Sequence, residues 1–258
     1  MKCDVVVAIG DNSPYLGRCL RGIDAQGIVV GRVLIIINNK AKINYFRRFL
    51  STCGLEVTSK VEIIEATGAQ NANIARNVGL LSATAPFVAF LDVDDEWMER
   101  HLEESIAEIE KESAIGCYSG MIVHRGGDET AHVSYDYRQE PNMETYLIKK
   151  NPAPTSSLVV VADAVRNCHW NWALRRHQDY DYLARLVNYG HLASKTNITL
   201  RYFDTGNANK QFSDTFKVLS AWKGSIEPAL YKSHRKYLFR KLLKNLELRS
   251  AIYWFFKS

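Results

Sequence analysis

Short, almost unbroken apolar runs alternate with mixed stretches through the first third of the chain: Val5–Ile9, Val33–Ile37, Val61–Ile64 and Phe87–Leu91. Each run is too short for a helix and rich in β-branched residues, the pattern of strands covered on both faces. Strands are expected over 4–9, 31–37, 61–64 and 86–91. Ser13 and Pro14 can cap and open a helix reaching residue 25, and further helices are expected over 44–53 and 73–83. This alternation predicts an α/β protein with a mostly parallel central sheet and flanking helices. The second half is less regular. It suggests strands over 115–123, 156–161 and 199–203, a polar loop over 125–142 around Gly126-Gly127, and a helix over 179–189 stopped by Gly190. From Phe212 onward the pattern is helical, so the chain divides into a body over 1–211 and a C-terminal basic amphipathic extension over 212–258.

The end of the fourth strand carries the chemistry. Phe90-Leu91 runs directly into Asp92-Val93-Asp94-Asp95-Glu96-Trp97. Ligands of open α/β sheets bind just beyond the carboxyl ends of strands, and carboxylates crowded there repel one another unless a cation joins them. An Asp-x-Asp pair is short enough to grip one divalent ion, and its oxygen ligands suit Mg2+ or Mn2+. A second reading is open: Asp94, Asp95 and Glu96 could cap a helix beginning near Trp97, because acids favour helix N-termini.

Charge changes the picture of the C-terminus. The net charge of +5 is concentrated there, since 223–258 holds nine Lys/Arg against Glu227 and Glu247, leaving 24 basic and 26 acidic residues in the rest. Over 228–247 the residues Leu230, Tyr237, Leu238, Leu242 and Leu246 fall near one helical stripe. Lys232, Arg235, Lys236, Arg240 and Lys244 lie beside or opposite it, and Ile252-Tyr253-Trp254-Phe255-Phe256 follows. Basic residues with interfacial aromatics predict a helix lying on an anionic membrane surface; packing of the same stripe on the body is the alternative. No recognisable nucleic-acid motif accompanies the charge. Five scattered cysteines without Cys-x-x-Cys spacing, no signal-peptide pattern before the first strand and no apolar run near 20 residues predict a cytoplasmic protein, peripheral on the membrane rather than spanning it.

Four separated segments line up with one family. Ala8-Ile9-Gly10-Asp11-Asn12, Ile37-Asn38-Asn39-Lys40, the Ala75-Arg76-Asn77-Val78-Gly79 helix with Phe90–Trp97, and Gln178-Asp179-Tyr180-Asp181-Tyr182 follow in order and spacing. Over roughly 4–208 the chain resembles a family 2 glycosyltransferase with the Rossmann-like GT-A fold. The resemblance implies an inverting, metal-dependent transferase that moves a sugar from a nucleotide-diphosphate donor, a UDP-sugar first, to a hydroxyl of a glycan. The acceptor it implies is lipid-linked, in bacterial surface polysaccharide synthesis (lipopolysaccharide, O-antigen or capsule). It assigns Asp94 and Asp92 to the Mn2+ or Mg2+ ion. Ala8, Gly10, Asn12, Asn38, Asn39, Arg76, Asp92 and Val93 are assigned to the donor, with Arg76 against base or phosphates, and Asp179 is the general base. Asp95, Asp181, His177 and Thr205 are further candidates, Asp181 as a rival base and His177 as a ligand or a partly exposed histidine.

Three departures open alternatives. Asn38-Asn39 replaces the usual aspartate pair, Gln178 replaces a glutamate, and Thr205 stands where many members place a histidine. A GT-A binding or scaffold protein without turnover is one alternative. Another nucleotide-diphosphate transferase is a second, though the glycine-rich phosphate loop of a nucleotidyltransferase is not visible.

Overall fold

A computed structural model describes residues 1–10, 14–37, 43–66, 68, 71–204, 212–244 and 253–254. The elements run β1 (Cys3–Ile9), α1 (Leu16–Asp24), β2 (Val30–Ile37), α2 (Ile43–Thr52), β3 (Val61–Glu65), α3 (Ala72–Ser82), β4 (Phe87–Asp92) and β5 (Glu96–Trp97). They continue with α4 (His101–Glu112), β6 (Gly116–Ser119), β7 (Met121–Arg125), β8 (Asp128–His132), α5 (Met143–Ile148), β9 (Val159–Val161) and α6 (Ala162–Val165). The last are α7 (Gln178–Leu186), β10 (Leu192–Lys195), β11 (Leu200–Phe203), α8 (Phe212–Ala221) and α9 (Pro228–Lys244).

Seven strands form the main sheet in the order β10-β6-β9-β4-β1-β2-β3, parallel except for β9. Successive side chains of a strand point to opposite faces, and both faces here are covered. Val6, Leu34, Ile36 and Phe90 join residues of α3, α5 and α7 on one side. Val5, Val7, Val33, Ile35 and Leu91 join α1 and α4 on the other. The α/β, mostly parallel architecture is therefore the one the apolar runs imply.

The second half departs from the sequence expectation. The strand anticipated over 115–123 is two strands in two sheets, because β7 leaves β6 at Gly120 and pairs with β8 and β11 in a four-stranded sheet β5-β11-β7-β8. The supposed loop over 125–142 is partly that hairpin. Gly126 and Gly127 have φ of 58° and 97°, the left-handed pair that a two-residue hairpin turn demands. Every residue of β8 is exposed, so the strand carries no apolar alternation for a pattern search to find. Helix α7 stops at Leu186, three residues short of expectation, with Val187 rather than Gly190 as its cap.

Helices α8 and α9 pack on the α5/α7 side of the body. Phe216, Val218, Leu219, Trp222, Leu238, Leu242 and Trp254 belong to the same apolar cluster as β4 and α7. Phe216 stacks on Trp254 at 5.6 Å, and Asn142 Nδ2 donates to the Ser225 carbonyl at 2.5 Å. The anticipated stripe is thus largely used internally: Leu238 and Leu242 are buried, while Tyr237 is exposed and carries the Lys150 ammonium over its ring. Leu246, Ile252, Phe255 and Phe256 lie outside the described residues. Burying Leu238 and Leu242 alone stabilises the docked helix by roughly 1.5–3 kcal/mol each. No helix among the described residues is long and apolar enough to cross a membrane.

Candidate active site

The acidic turn closes β4. Ala8 pairs in register with Asp92 on the neighbouring strand, so the end of β1 lies against the start of the turn, and Asp95 N donates to the Asp92 carbonyl at 3.0 Å. The acids do not cap a helix. Glu96 and Trp97 form β5 against Arg201 and Leu200, and α4 begins only at His101, behind Arg100, which makes no side-chain cap. Their crowding at the strand end has some other cause.

Arg76 reaches this turn from α3. Asn71 caps that helix, its side chain accepting from Asn73 N and Ile74 N, and Gly79 lets it lie almost on β1. A Cβ at Gly79 would come within 2.3 Å of Val6 Cγ1. Arg76, one turn earlier, is buried. Its Nη2 donates to Asp92 Oδ1 at 2.5 Å, its Nη1 to Asn73 Oδ1 at 3.1 Å, and its guanidinium lies 4.9 Å from the Trp170 ring. Its charged partner within the protein is Asp92.

Asp95 is 1 % exposed. Its Oδ2 accepts from Ser156 Oγ at 2.5 Å and its Oδ1 from Phe203 N at 3.1 Å, while Ser156 Oγ accepts from Asp92 N at 3.1 Å. Burial, reinforced by the charges of Asp92 and Asp94, pushes the Asp95 carboxyl well above the ordinary range despite these two hydrogen bonds. Arg18 of α1 donates to the Asp94 carbonyl, with its guanidinium 3.4 Å from the Phe203 ring centre.

Asp179 opens α7 behind His177, which adopts the left-handed conformation at φ 54°. Asp179 Oδ1 accepts from Tyr180 N at 2.9 Å. Its carboxyl is raised above its usual range by burial. The Arg76 charge opposes that shift and the Asp92 charge adds to it, so both groups lie within its electrostatic reach. Asp181 is held by Arg185 at 2.6 Å as a pair one helical turn apart. His177 is partly exposed and packs on Tyr180 with ring centres 4.6 Å apart. Burial and then the Arg176 and His234 charges depress its pKa to about 3.

The structure thus brings Ala8, Arg76, Asp92, Asp94, Asp95 and Asp179 to the carboxyl end of the sheet. Gly10 is exposed just beyond β1, and Val93 packs against the apolar cluster under α1 and α4. Asn12, Asn38, Asn39 and Thr205 lie outside the described residues. Among the described residues, no three His, Cys, Asp or Glu side chains are arranged to hold a metal ion. Asp95 is committed to Ser156 and Phe203, and Asp92 to Arg76. Ser156, Asn73, Trp170 and Arg18 support the site and had no local sequence signal, because Ser156, Trp170 and Arg18 act on partners far away in the chain and Asn73 acts by orienting Arg76.

Residues 4–177 match the family described as Glycosyl transferase family 2. An uncharacterized glycosyltransferase of Nostoc sp. is 25 % identical over 131 residues, half of this chain but 39 % of that protein, so the chain spans well under half of that relative's length. Among solved structures, Staphylococcus aureus TarS residues 1–349 in complex with UDP-GlcNAc superpose with a TM-score of 0.66 at 15 % identity, covering 95 % of this chain and 73 % of that one. The mannosyltransferase PcManGT from Pyrobaculum calidifontis, in complex with GDP-Man and Mn2+, gives 0.64 at 13 % identity, covering 98 % and 73 %. At such identities the superpositions speak for the fold. With two thirds of its length matched, and with the Ala-Arg-Asn-x-Gly helix and the acidic turn meeting where the fold binds ligands, the chain belongs to glycosyl transferase family 2, a family of sugar-transferring enzymes.

Proposed function

We propose that this protein transfers a sugar from a nucleotide-diphosphate donor, a UDP-sugar first, to a hydroxyl of a glycan acceptor, with inversion at the anomeric carbon. The observation that carries this reading is the meeting of Asp92, Arg76 and Asp179 at the end of β4. Asp179 takes the proton from the acceptor hydroxyl as its oxygen attacks the anomeric carbon and the bond to the diphosphate breaks. Its carboxyl, raised by burial, is a stronger base than a surface aspartate. Arg76 holds the Asp92 carboxylate and adds fixed positive charge beside the departing diphosphate.

Asp92 and Asp94 offer the hard oxygen donors that suit a divalent cation, with Asp92 also held by Arg76. Hard oxygen donors are packed closely enough for the Asp92 and Asp94 charges to raise Asp95, an excess of negative potential that a cation relieves. Asp94 and Asp92 would hold Mn2+ or Mg2+, which when bound neutralises charge developing on the leaving diphosphate.

The acceptor reading is a lipid-linked glycan of a bacterial surface polysaccharide, made at the inner face of the cytoplasmic membrane. Support for membrane contact is now the exposed cations Lys232, Lys236 and Arg240, since most of the apolar stripe is buried. Removing the residues after Lys223 would strip a docked helix from the core, so charge-reversal of these three is the sound variant for a vesicle-binding assay. Wild-type and reversed protein binding anionic vesicles equally would remove the membrane reading.

The direct experiment is a panel of UDP-, GDP-, CMP- and dTDP-sugars with Mn2+ or Mg2+, scored for release of the nucleotide. Release from one donor, abolished by chelator and by Asp94→Ala, is expected. A protein that neither binds any of these donors nor releases nucleotide from them would overturn the proposal.

A further inference from the structure

We propose that Asn73 is a positioning residue that ties the Arg76–Asp92 pair to the loop leading into Asp179, so that the donor side and the base side of the site are held as one unit. This rests on the transferase reading above and adds to it how the two sides are kept in register.

Asparagines stand at 71, 73 and 77, in the N-cap and first two turns of α3. Within a helix asparagine is unfavourable, because its amide competes with the backbone. Such a local conflict is expected where the side chain acts elsewhere, and all three reach the same stretch of chain. Asn71 Nδ2 donates to the Trp172 carbonyl at 2.7 Å. Asn77 Nδ2 donates to the Trp170 carbonyl at 2.9 Å, and its Oδ1 accepts from Trp170 N at 2.7 Å. Asn73 Nδ2 donates to the Asn171 carbonyl at 2.9 Å and to the Leu174 carbonyl at 2.8 Å. Residues 170–174 belong to no helix or strand, so α3 sets the shape of this loop.

Asn73 differs from the other two. It is 2 % exposed, and its Oδ1 accepts from Arg76 Nη1 at 3.1 Å, three positions on and so on the same helix face. The amide can be oriented only this way. A guanidinium only donates and a carbonyl only accepts, so the oxygen must face Arg76 and the nitrogen must face the loop. One acceptor and two donors are thereby all used, while Arg76 Nη2 remains on Asp92.

From the loop to the base the path is short. Trp170 lies 4.9 Å from the Arg76 guanidinium on one side and stacks on Tyr182 of α7 with ring centres 4.0 Å apart on the other. Leu174 stands five positions before Asp179, whose carboxyl feels the Arg76 and Asp92 charges. In an in-line displacement the base and the leaving group act on opposite sides of one carbon. The spacing between Asp179 and Asp92 therefore matters more than the place of either alone, and Asn73 spans the two elements that set it.

The test uses the full chain and the donor that the nucleotide-sugar panel identifies. Asn73→Ala and Asn71→Ala each free part of the same loop, but only the first also frees Arg76. Turnover is counted per UDP-binding site, so that unfolded protein does not enter. Asn73→Ala should lower kcat by about 10²-fold, with the donor KM little changed because Arg76 keeps Asp92. Asn71→Ala should lower the melting temperature and leave kcat near wild type. A kcat retained by Asn73→Ala, or lost by both variants in step with their melting temperatures, would overturn the positioning role. If Asn73→Ala does not fold, Asn73→Ser replaces it: one hydroxyl hydrogen cannot serve both carbonyls, and a smaller fall in kcat of the same kind is expected. A wild type that turns over no donor strikes the transferase reading. Amide hydrogen exchange across 170–182 still decides the clamp in that case, faster exchange in the Asn73 variant supporting it and unchanged exchange overturning it.

Discussion

Two aspartate–arginine pairs lie at opposite ends of the same sheet, and they are built differently. At the amino-terminal end, Asp4 is buried and fully satisfied. It accepts from Arg32 N and Arg32 Nη2 at 2.9 Å each, from Thr84 N at 2.9 Å and from Ala85 N at 3.2 Å. Those bonds outweigh the burial that opposes ionisation, and the Asp4 carboxyl is held below its usual range. At the carboxyl end, the Asp92 side chain is 34 % exposed. It meets Arg76 at 2.5 Å but shares its turn with Asp94 and Asp95, and Asp95 is driven in the other direction. The first pair shows a charge buried for structure. The second shows like charges held together against their repulsion, an arrangement that persists only where the rest of the fold over-determines it and that marks functional sites.

The largest expected effect comes from the functional end. Asp179→Asn should lower kcat by about 10²–10⁴-fold with nucleotide affinity little changed. Because the Asp179 carboxyl is raised, the acid limb of the wild-type pH–rate profile should lie above the ordinary aspartate range, and the variant should lose that limb. A profile unaltered by the substitution would remove Asp179 as the base.

At the structural end, Asp4→Ala strands the Thr84 and Ala85 N–H groups and removes the partner of a half-exposed Arg32, which costs about 1–3 kcal/mol. Urea unfolding should show that loss, while activity per folded molecule stays near wild type. A loss of activity without a loss of stability would reverse the contrast drawn between the two ends.

Asp95→Asn sharpens the comparison, because its sign is opposite. A buried acid whose folded pKa is raised binds a proton more readily folded than unfolded, so its contribution to stability declines as pH rises above the ordinary carboxylate range. An uncharged isostere should therefore raise stability by about 1 kcal/mol at neutral pH while impairing turnover. Destabilisation at neutral pH would show the carboxylate to be a net support.

The smallest effect is an acid sensitivity separate from that of Asp4. Unfolded histidine takes up a proton near pH 6.5, whereas folded His177 does so near 3 and His234 near 4. The unfolded state thus binds more protons across that window, and stability should fall as pH drops below about 6.5. Asp4, with its lowered folded pKa, contributes stability above its usual value and loses it only at still lower pH. His234→Gln should flatten the melting-temperature profile between pH 7 and 5; a profile as steep as wild type would assign the loss elsewhere.

The sequence carried more of the sheet than of the site's support. Buried parallel strands announce themselves because both faces exclude water, which leaves apolar runs in the chain. The hairpin did not, because β8 buries nothing. The Gly126-Gly127 pair, which reads locally as a loop, is the hairpin turn. The carboxylate crowding of Asp92 and Asp94 at a strand end was legible from the local pattern, whereas Arg76 and Asp179 stood out only through the family resemblance, and the structure brings Arg76 to Asp92. Ser156, Asn73, Trp170 and Arg18 were not legible, since a serine or tryptophan has no local signature for bracing a carboxylate or an arginine at a distance.

What the sequence determined by itself was therefore the layered α/β plan and the acidic turn at the end of β4, because burial and charge crowding are local properties of the chain, and the family, through the order of its matching segments. The tertiary structure decided the rest. It paired Arg76 with Asp92, turned Asp95 inward to Ser156 and Phe203, committed Asp181 to Arg185 and laid α9 on the core. Each of these depends on which of several chemically competent partners the packed fold holds within bonding distance, and close packing makes that choice.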